Sequence, residues 1–251
     1  MPLRDRHISR PVEQARSDPS GFYDVRYADG YMQDFSDPYE ACRVVTIEDT
    51  LGRLPRAPRR ILDYGCGEGR YLDVVGRRFP DAEYVPVEDG GIALHDGSFD
   101  LVLCVEVLEH VADAEATTRE LGRLLAPGGV LVLTTPCANP GSFEWVLNRL
   151  RGGLQRTPDG YGRFATDEPG HLRRLTSRDL RVLLQRAGLV VDRVDFRGQL
   201  FAALMIRLPG RLKRLLGARG LTSFGLLDWR LFRRLPNGAT MLAVARRPAP
   251  S

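Results

Sequence analysis

Three glycines at alternate positions limit the possible folds of this chain more than any other feature. The stretch 63–69 reads Asp-Tyr-Gly-Cys-Gly-Glu-Gly; an apolar run at 60–64 leads into it and a helical pattern at 70–79 follows. Glycine adopts left-handed backbone conformations at low cost and lets the main chain approach a ligand closely. A turn of this kind between a strand and a helix also directs backbone N–H groups toward a negatively charged ligand group. The stretch therefore predicts a ligand-binding turn in an α/β protein.

Apolar strand-like segments alternate with amphipathic segments along much of the chain. This alternation is typical of a mainly parallel sheet with helices on both faces. In such a sheet, ligands bind at the carboxyl ends of the strands. We expect strands at 60–64, 83–87, 99–105, 130–134, 189–194 and 240–245, and helices at 39–54, 70–79, 113–125 and 176–187.

Two acids follow the second expected strand, and they are candidates for binding a ribose. Glu88 lies 23 positions after Gly65, and Asp89 is next to it. Nucleotide-binding α/β folds place an acid about 20 residues beyond the glycine turn, where it accepts hydrogen bonds from ribose hydroxyls. The dinucleotide fingerprint requires Gly or Ala at position 70, where this chain has Arg70. The pattern therefore does not predict a dehydrogenase.

Three segments together resemble the class I methyltransferases that use S-adenosylmethionine. They are 61–69 with the glycine turn, 96–111 (Asp-Gly-Ser-Phe-Asp-Leu-Val-Leu-Cys-Val-Glu-Val-Leu-Glu-His-Val), and 121–136 with its Ala-Pro-Gly-Gly. The resemblance covers 58–136 and continues weakly to 197. It implies a Rossmann-like, doubly wound sheet of seven strands with the last strand antiparallel. One departure is visible, because the stretch between Glu88 and Phe99 is too short for the usual second helix and third strand.

The resemblance also implies which residues hold the cofactor, S-adenosylmethionine. Glu88 would hold the ribose, although 87–90 could equally be the adenine-contacting strand end, and Asp89 stays an alternative to Glu88. The N-terminal segment of relatives often folds over the cofactor, and Tyr31 is our candidate there, unless the tyrosines at 23, 27 and 31 only pack that segment onto the core. The full predicted set is Asp63, Gly65, Cys66, Gly67, Glu88, Asp89, Cys104, Val105, Glu106 and Tyr31.

Two histidines are candidates for acid–base chemistry. The sulfonium of the cofactor is already an activated methyl donor, so a base is needed only where the acceptor must lose a proton. His171 lies in a loop expected over the carboxyl edge of the sheet and is predicted to bind substrate or act as the base. His110, just past the strand at 99–105, is a second candidate with a structural role as the alternative. Glu106 and Glu109 are further possibilities, with a surface or capping role as the alternative for Glu109, and we predict no metal site.

Basic residues are concentrated between the last two expected strands. From Arg197 to Asn237 there are nine basic residues and one acid, Asp228, whereas the whole chain carries a net charge of +4. Three interpretations compete: an amphipathic helical cap over the acceptor pocket, contact with an anionic membrane, and contact with RNA phosphates. RNA gains little support elsewhere, because the chain has no Asn-Pro-Pro-aromatic motif.

These features predict a cytoplasmic methyltransferase that transfers a methyl group to an oxygen atom of a small molecule. Peripheral contact with a membrane is an additional possibility. The N-terminus is polar, and no apolar run approaches the roughly 20 residues that cross a bilayer. An RNA methyltransferase and an inactive cofactor-binding module are the alternatives. We expect four parts: a tail and lid segment at 1–57, the core at 58–198, the basic insertion at 199–237, and a final strand and tail at 238–251.

Overall fold

The computed structural model describes residues 38–67, 69–88 and 94–249, and Ser17. Most of the predicted strands and helices occur within one or two residues of their expected bounds. The strands are β1 Arg60–Tyr64, β2 Glu83–Val87, β3 Phe99–Val105, β4 Leu125–Pro136, β5 Leu154–Arg156, β6 Gly162–Phe164, β7 Val190–Arg197 and β8 Thr240–Arg246. The helices are α1 Pro38–Leu51, α2 Leu72–Arg78, α3 Ala114–Leu124, α4 Phe143–Leu150, α5 Ser177–Arg186, α6 Leu200–Arg207 and α7 Gly210–Phe232.

The main sheet has the order β2-β1-β3-β4-β8-β7. Strands β2, β1, β3 and β4 pair in parallel, and β8 is antiparallel to both β4 and β7. The α/β class and the antiparallel last strand are therefore confirmed. The main sheet of the described residues has six strands, one fewer than the seven that the resemblance implies. Only 88–98 join β2 to β3, and a crossover that contains a helix and a further strand needs more residues than these eleven.

Strand β3 illustrates why the central strands are apolar throughout. Alternate residues of a strand face opposite sides of the sheet. Val102 and Cys104 pack into the hydrophobic cluster shared with α3 and α5, whereas Leu101 and Leu103 pack into the cluster shared with α1 and α2. Both faces are covered, so the strand is continuously hydrophobic, as expected for the centre of a parallel sheet. This burial fixes the strand ends that carry the candidate site.

Local side-chain chemistry sets the start of two helices. The Asp113 carboxylate accepts a hydrogen bond from the N–H of Ala116 at the start of α3. At α5, Thr176 and Asp179 form a reciprocal capping box, which satisfies backbone N–H groups that would otherwise lack a partner. Helix α4 and the β5–β6 hairpin were not predicted from the sequence.

The basic insertion forms α6 and α7, and α7 packs against α1. Gly225 lies against Cys42, where an added Cβ would come 2.4 Å from the Cys42 Sγ. The Trp229 indole N–H donates to the Asp49 carboxylate at 3.2 Å. None of the helices in the described part of the chain contains an apolar stretch long enough to span a bilayer.

Candidate active site

The glycine turn lies at the carboxyl end of β1, as the sequence predicts. Gly65, Gly67 and Gly69 have φ angles of 71°, 51° and 72°, which lie in the left-handed region. The N–H groups of Gly65 and Cys66 donate to the carbonyl of Val87 at 2.7 and 3.2 Å. A Cβ at Gly65 would come 2.5 Å from the Val107 Cγ2, whereas one at Gly69 meets no described atom within 4 Å. The turn therefore needs glycine at 65 and is open on its outer side.

Two carboxylates flank this turn. Asp63 is 1% exposed, and its carboxylate accepts a hydrogen bond from the Tyr84 hydroxyl. Burial raises the pKa of Asp63 to about 6, against the Tyr84 bond, which lowers it. The Glu88 carboxylate at the end of β2 accepts the Gly67 N–H and lies 3.8 Å from the Cys66 Sγ. Of the other predicted contacts, Asp89 and Tyr31 lie outside the described residues.

The turn and its acids suit a nucleoside that carries an amino-acid tail. The open outer side of the turn allows close approach of a ligand, and an exposed carboxylate such as Glu88 can accept hydrogen bonds from ribose hydroxyls. Burial raises the pKa of the Cys66 thiol to about 11, and the charges of Asp63 and Glu88 add to this effect. The thiol therefore stays protonated near neutral pH and is not an activated nucleophile.

The carboxyl end of β3 turns at Glu106 through an unusual backbone conformation. Glu106 has a φ of 56°, the only positive value of a non-glycine among the described residues. Its N–H donates to the Thr134 carbonyl at 3.0 Å, and the Thr134 hydroxyl donates to its Oε1 at 2.7 Å. A left-handed glutamate costs about 1 kcal/mol, and backbone strain of this kind is concentrated at functional sites. The Cys104 side chain, in contrast, is buried in the core.

Two arginines hold Glu106 in its charged form. The Arg43 Nη2 lies 3.7 Å from the Glu106 Oε2, and both side chains are mostly buried. Burial alone raises the pKa of Glu106, but the charges of Arg43 and Arg197 and the Thr134 hydrogen bond together hold it below its usual value. Sequence reasoning did not identify either arginine, because each comes from an element distant in the chain.

Glu109, His110 and His171 meet beside this strand end. The His110 Nδ1 lies 3.0 Å from the Gly170 carbonyl, and the imidazole rings of His110 and His171 have centroids 4.9 Å apart. The N–H of Leu172 donates to the carbonyl of Glu109 at 2.7 Å. The structure thus brings together both predicted histidines from segments about 60 residues apart.

Burial shifts the pKa of each group in this cluster in the direction that disfavours its charged form. The pKa of Glu109 is raised well above its usual value by burial and then by the charge of Glu106. Burial lowers the pKa of His110 to about 4, assisted by His171, and it also lowers the pKa of His171 against the nearby Glu168. The Glu109 Oε1 and the His171 Nδ1 are buried without a hydrogen-bond partner among the described residues.

Arg173 joins the two segments that carry the histidines. It is almost fully buried, and its guanidinium donates to the carbonyls of Leu108 at 2.7 Å and Ala112 at 2.8 Å, and also to that of Val111. Its Nε bonds to Asp159, beyond β5. Arg173 therefore positions the turn that carries Glu109 and His110. No periodic pattern in the sequence indicates this contact.

A protein-family model described as a methyltransferase domain matches residues 36–194. The chain belongs to the methyltransferase domain family. Over 184 residues it is 33% identical to a ubiquinone biosynthesis O-methyltransferase of Cereibacter sphaeroides. The aligned residues cover 61% of this chain and 68% of that protein. It is 34% identical over 145 residues to the protein of the same name from Psychrobacter arcticus, where it spans 54% of the relative's length.

Solved methyltransferase structures share the fold. The 1,6-didemethyltoxoflavin-N1-methyltransferase of Burkholderia thailandensis, with bound 1,6-didemethyltoxoflavin and S-adenosylhomocysteine, superposes with a TM-score of 0.53. The match covers 98% of this chain and 94% of that one at 15% identity, so it speaks for the fold alone. Family membership confirms the superfamily and the cofactor, S-adenosylmethionine, that the sequence predicts. The individual site residues of this methyltransferase remain predictions.

The low pKa of His110 predicts that this methyltransferase loses stability in mild acid. His110 has a pKa of about 4 in the folded state, against about 6.5 in an unfolded chain. The unfolded chain therefore binds this proton first, and stability falls as pH drops from 6.5 toward 4. Between pH 7 and pH 5 the wild type should lose about 2 kcal/mol of unfolding free energy from this residue.

The His110→Asn variant isolates this contribution, because His171, Asp63 and Glu109 titrate in both proteins. Urea unfolding at pH 7 and pH 5 measures it, and the pH-dependent loss should be smaller in the variant by about 2 kcal/mol. Equal losses in the two proteins would contradict the lowered pKa of His110.

Proposed function

We propose that this protein transfers the methyl group of S-adenosylmethionine to a hydroxyl oxygen of a small acceptor molecule. The observation that carries the proposal is the pair of uncharged histidines beside Glu109, at the strand end next to the cofactor turn. A hydroxyl acceptor loses a proton as it is methylated, and a neutral imidazole can accept that proton. The names of the C. sphaeroides and P. arcticus relatives support oxygen as the acceptor atom.

The chain's own residues divide the work between binding and proton transfer. Asp63 and the glycine turn, which lets the main chain approach a ligand closely, would hold the amino-acid end of the cofactor, and Glu88 would hold its ribose. When bound, S-adenosylmethionine supplies an activated methyl group that needs no further activation by the protein. The remaining task is to align the acceptor and exclude water.

His171 is the base that we favour. Its Nε2 lies 3.5 Å from the Glu168 Oε1, which favours the tautomer with the proton on Nε2 and the lone pair on Nδ1. That Nδ1 lacks a partner among the described residues, so an acceptor hydroxyl that reaches it would complete its hydrogen bonding. His110 would support the loop through its bond to the Gly170 carbonyl.

The same cluster also has the composition of a cation site. Glu109, His110 and His171 each offer one ligand atom, and these atoms lie within 4.8 Å of one another. The sequence predicts no metal. A divalent cation there would act by lowering the pKa of the acceptor hydroxyl, so activity that a chelator abolishes would favour this second mechanism over a histidine base.

A methyl-transfer assay with matched acceptors tests the function. Isotope-labelled S-adenosylmethionine is supplied with aromatic acceptors that carry a hydroxyl, an amine or a thiol on the same skeleton, with and without chelator. We expect O-methyl products. Exclusive N-methylation would contradict the oxygen assignment. Transfer of the labelled methyl group to added RNA would favour the alternative of an RNA methyltransferase. Cofactor binding without any methyl transfer would favour the alternative of an inactive cofactor-binding module.

We also propose that residues 199–237 contact an anionic membrane and that the protein acts in the cytoplasm. The excess of basic residues in this segment supports the membrane contact. Helix α7 packs on α1, and α1 carries Arg43 to within 3.7 Å of Glu106, so this segment and the site share one scaffold. A hydrophobic acceptor could then reach the site from the membrane.

The division of the chain into the four parts 1–57, 58–198, 199–237 and 238–251 likewise remains a proposal.

A further inference from the structure

A seven-residue helical stretch in the basic insertion exposes apolar side chains to solvent. Residues 210–216, which we call the projecting turn, form the part of α7 before Gly217. Leu212, Leu215 and Leu216 are 43%, 80% and 43% exposed. Their spacing of three and four residues places them on one side of the helix. The protein therefore presents a small leucine face that no described residue covers.

The exposure is built into the fold, because the chain is anchored on both sides of the projecting turn. Leu208 before it and Leu221 after it are both buried. Gly217 has a φ of 62°, which interrupts the helix between the projecting turn and the part of α7 that packs on α1. The leucines are thus held outward by two fixed points.

Cations surround this leucine face without any acid. The projecting turn contains Arg211, Lys213 and Arg214, and Arg207 and Arg219 lie on either side of it. Residues 199–227 include no Asp or Glu. At 100° per residue, Arg211 and Arg214 border the leucine face on one side, and Lys213 borders it on the other. Leucines bordered by cations are the arrangement of helices that lie in the interface of an anionic bilayer.

We propose that the projecting turn is the membrane-contact element, with its three leucines among the acyl chains and its cations on anionic headgroups. A second copy of the chain fits this surface less well, because a symmetric contact would bring like charges together. Nucleic acid also fits less well, since it favours exposed aromatics for stacking, whereas Phe201 and Trp229 of this segment are buried and Phe224 and Phe232 are half-buried. The inference refines the membrane contact proposed above.

Vesicle flotation of the full chain tests the inference without any methyl transfer, so its failure is separate from failure of the proposed activity. We expect the wild type to bind vesicles of phosphatidylcholine with phosphatidylglycerol, and salt to weaken this binding. Leu212→Ser, Leu215→Ser and Leu216→Ser combined should weaken it on the order of 100-fold. Arg211→Gln with Arg214→Gln should weaken it roughly 25-fold, since each cation near such a surface is worth about a factor of five.

Matched controls separate the surface from general effects. Leu150, on α4, is 80% exposed like Leu215, so Leu150→Ser should bind as the wild type does. Arg77→Gln with Arg181→Gln removes two exposed arginines from α2 and α5 and should also leave binding unchanged. Thermal melting checks that every variant folds. No vesicle binding, equal binding to pure phosphatidylcholine, equal loss in the Leu150 control, or leucine-dependent dimerisation without lipid would each overturn the inference.

Discussion

We expect the His171→Ala variant to lose about 10²- to 10³-fold in kcat, with little change in its affinity for S-adenosylhomocysteine. General-base catalysis contributes rate factors of this size, and alanine removes the neutral imidazole that would accept the hydroxyl proton. The glycine turn follows β1, whereas His171 lies in the loop between β6 and α5, so the substitution changes no residue that we propose to hold the cofactor. Glu168→Gln keeps the imidazole but removes the charge 3.5 Å from its Nε2, so its loss should be smaller, about tenfold. Steady-state kinetics with the preferred hydroxyl acceptor measure both effects.

The control for this prediction is His95→Ala. His95 is exposed in the turn before β3, at the amino-terminal end of that strand and away from the candidate site. Its removal should leave kcat unchanged. If His171→Ala retained nearly full kcat on an acceptor with a weakly acidic hydroxyl, His171 would not be the base. Loss of the rate in His110→Asn alone would then transfer that role to His110.

Replacing Gly67 by arginine should abolish cofactor binding. Gly67 has a φ of 51°, so any side chain there costs about 1 kcal/mol, and an arginine would compete for space with a cofactor bound at the turn. The change would also disturb the bond from the Gly67 N–H to the Glu88 carboxylate. We expect affinity for S-adenosylhomocysteine to fall by more than about 100-fold.

A second glycine provides a matched control for the backbone strain and the added bulk. Gly128 has a φ of 77° and lies near the amino-terminal end of β4, whereas the candidate site lies at the carboxyl ends of the parallel strands. An added Cβ there meets no described atom within 4 Å. Gly128→Arg should therefore carry a similar conformational cost and bind the cofactor product normally.

The sequence predicts those parts of the fold that local patterns determine. The bounds of β1, β2 and β3 agree with the expectation to the residue, since each is a short apolar run that ends at a glycine or an acid. The β5–β6 hairpin has three-residue strands, which are too short to show an alternating pattern. The strand count was overestimated because the resemblance to relatives outweighed the short 88–98 connection.

The residues of the candidate site likewise fall into those that a local sequence pattern indicates and those that only tertiary contacts bring together. The glycine turn and Glu88 are local to two strand ends, so residue spacing was enough to find them. His110 and His171 could be selected as candidates, but their contact depends on tertiary pairing between two loops. Arg43 and Arg173 left no sequence signal, because a buried arginine cannot be distinguished from a surface arginine by its neighbours. The contacts of long side chains between distant segments therefore had to come from the structure.

Calorimetric titration of S-adenosylhomocysteine into the wild type, Glu88→Ala, Gly67→Arg and Gly128→Arg tests the placement of the cofactor most directly. We predict saturable binding for the wild type and for Gly128→Arg, roughly tenfold or greater weakening for Glu88→Ala, and no detectable heat for Gly67→Arg. Thermal melting would verify that each variant is folded. Undiminished binding by a folded Gly67→Arg protein would contradict the assignment of the cofactor to this turn.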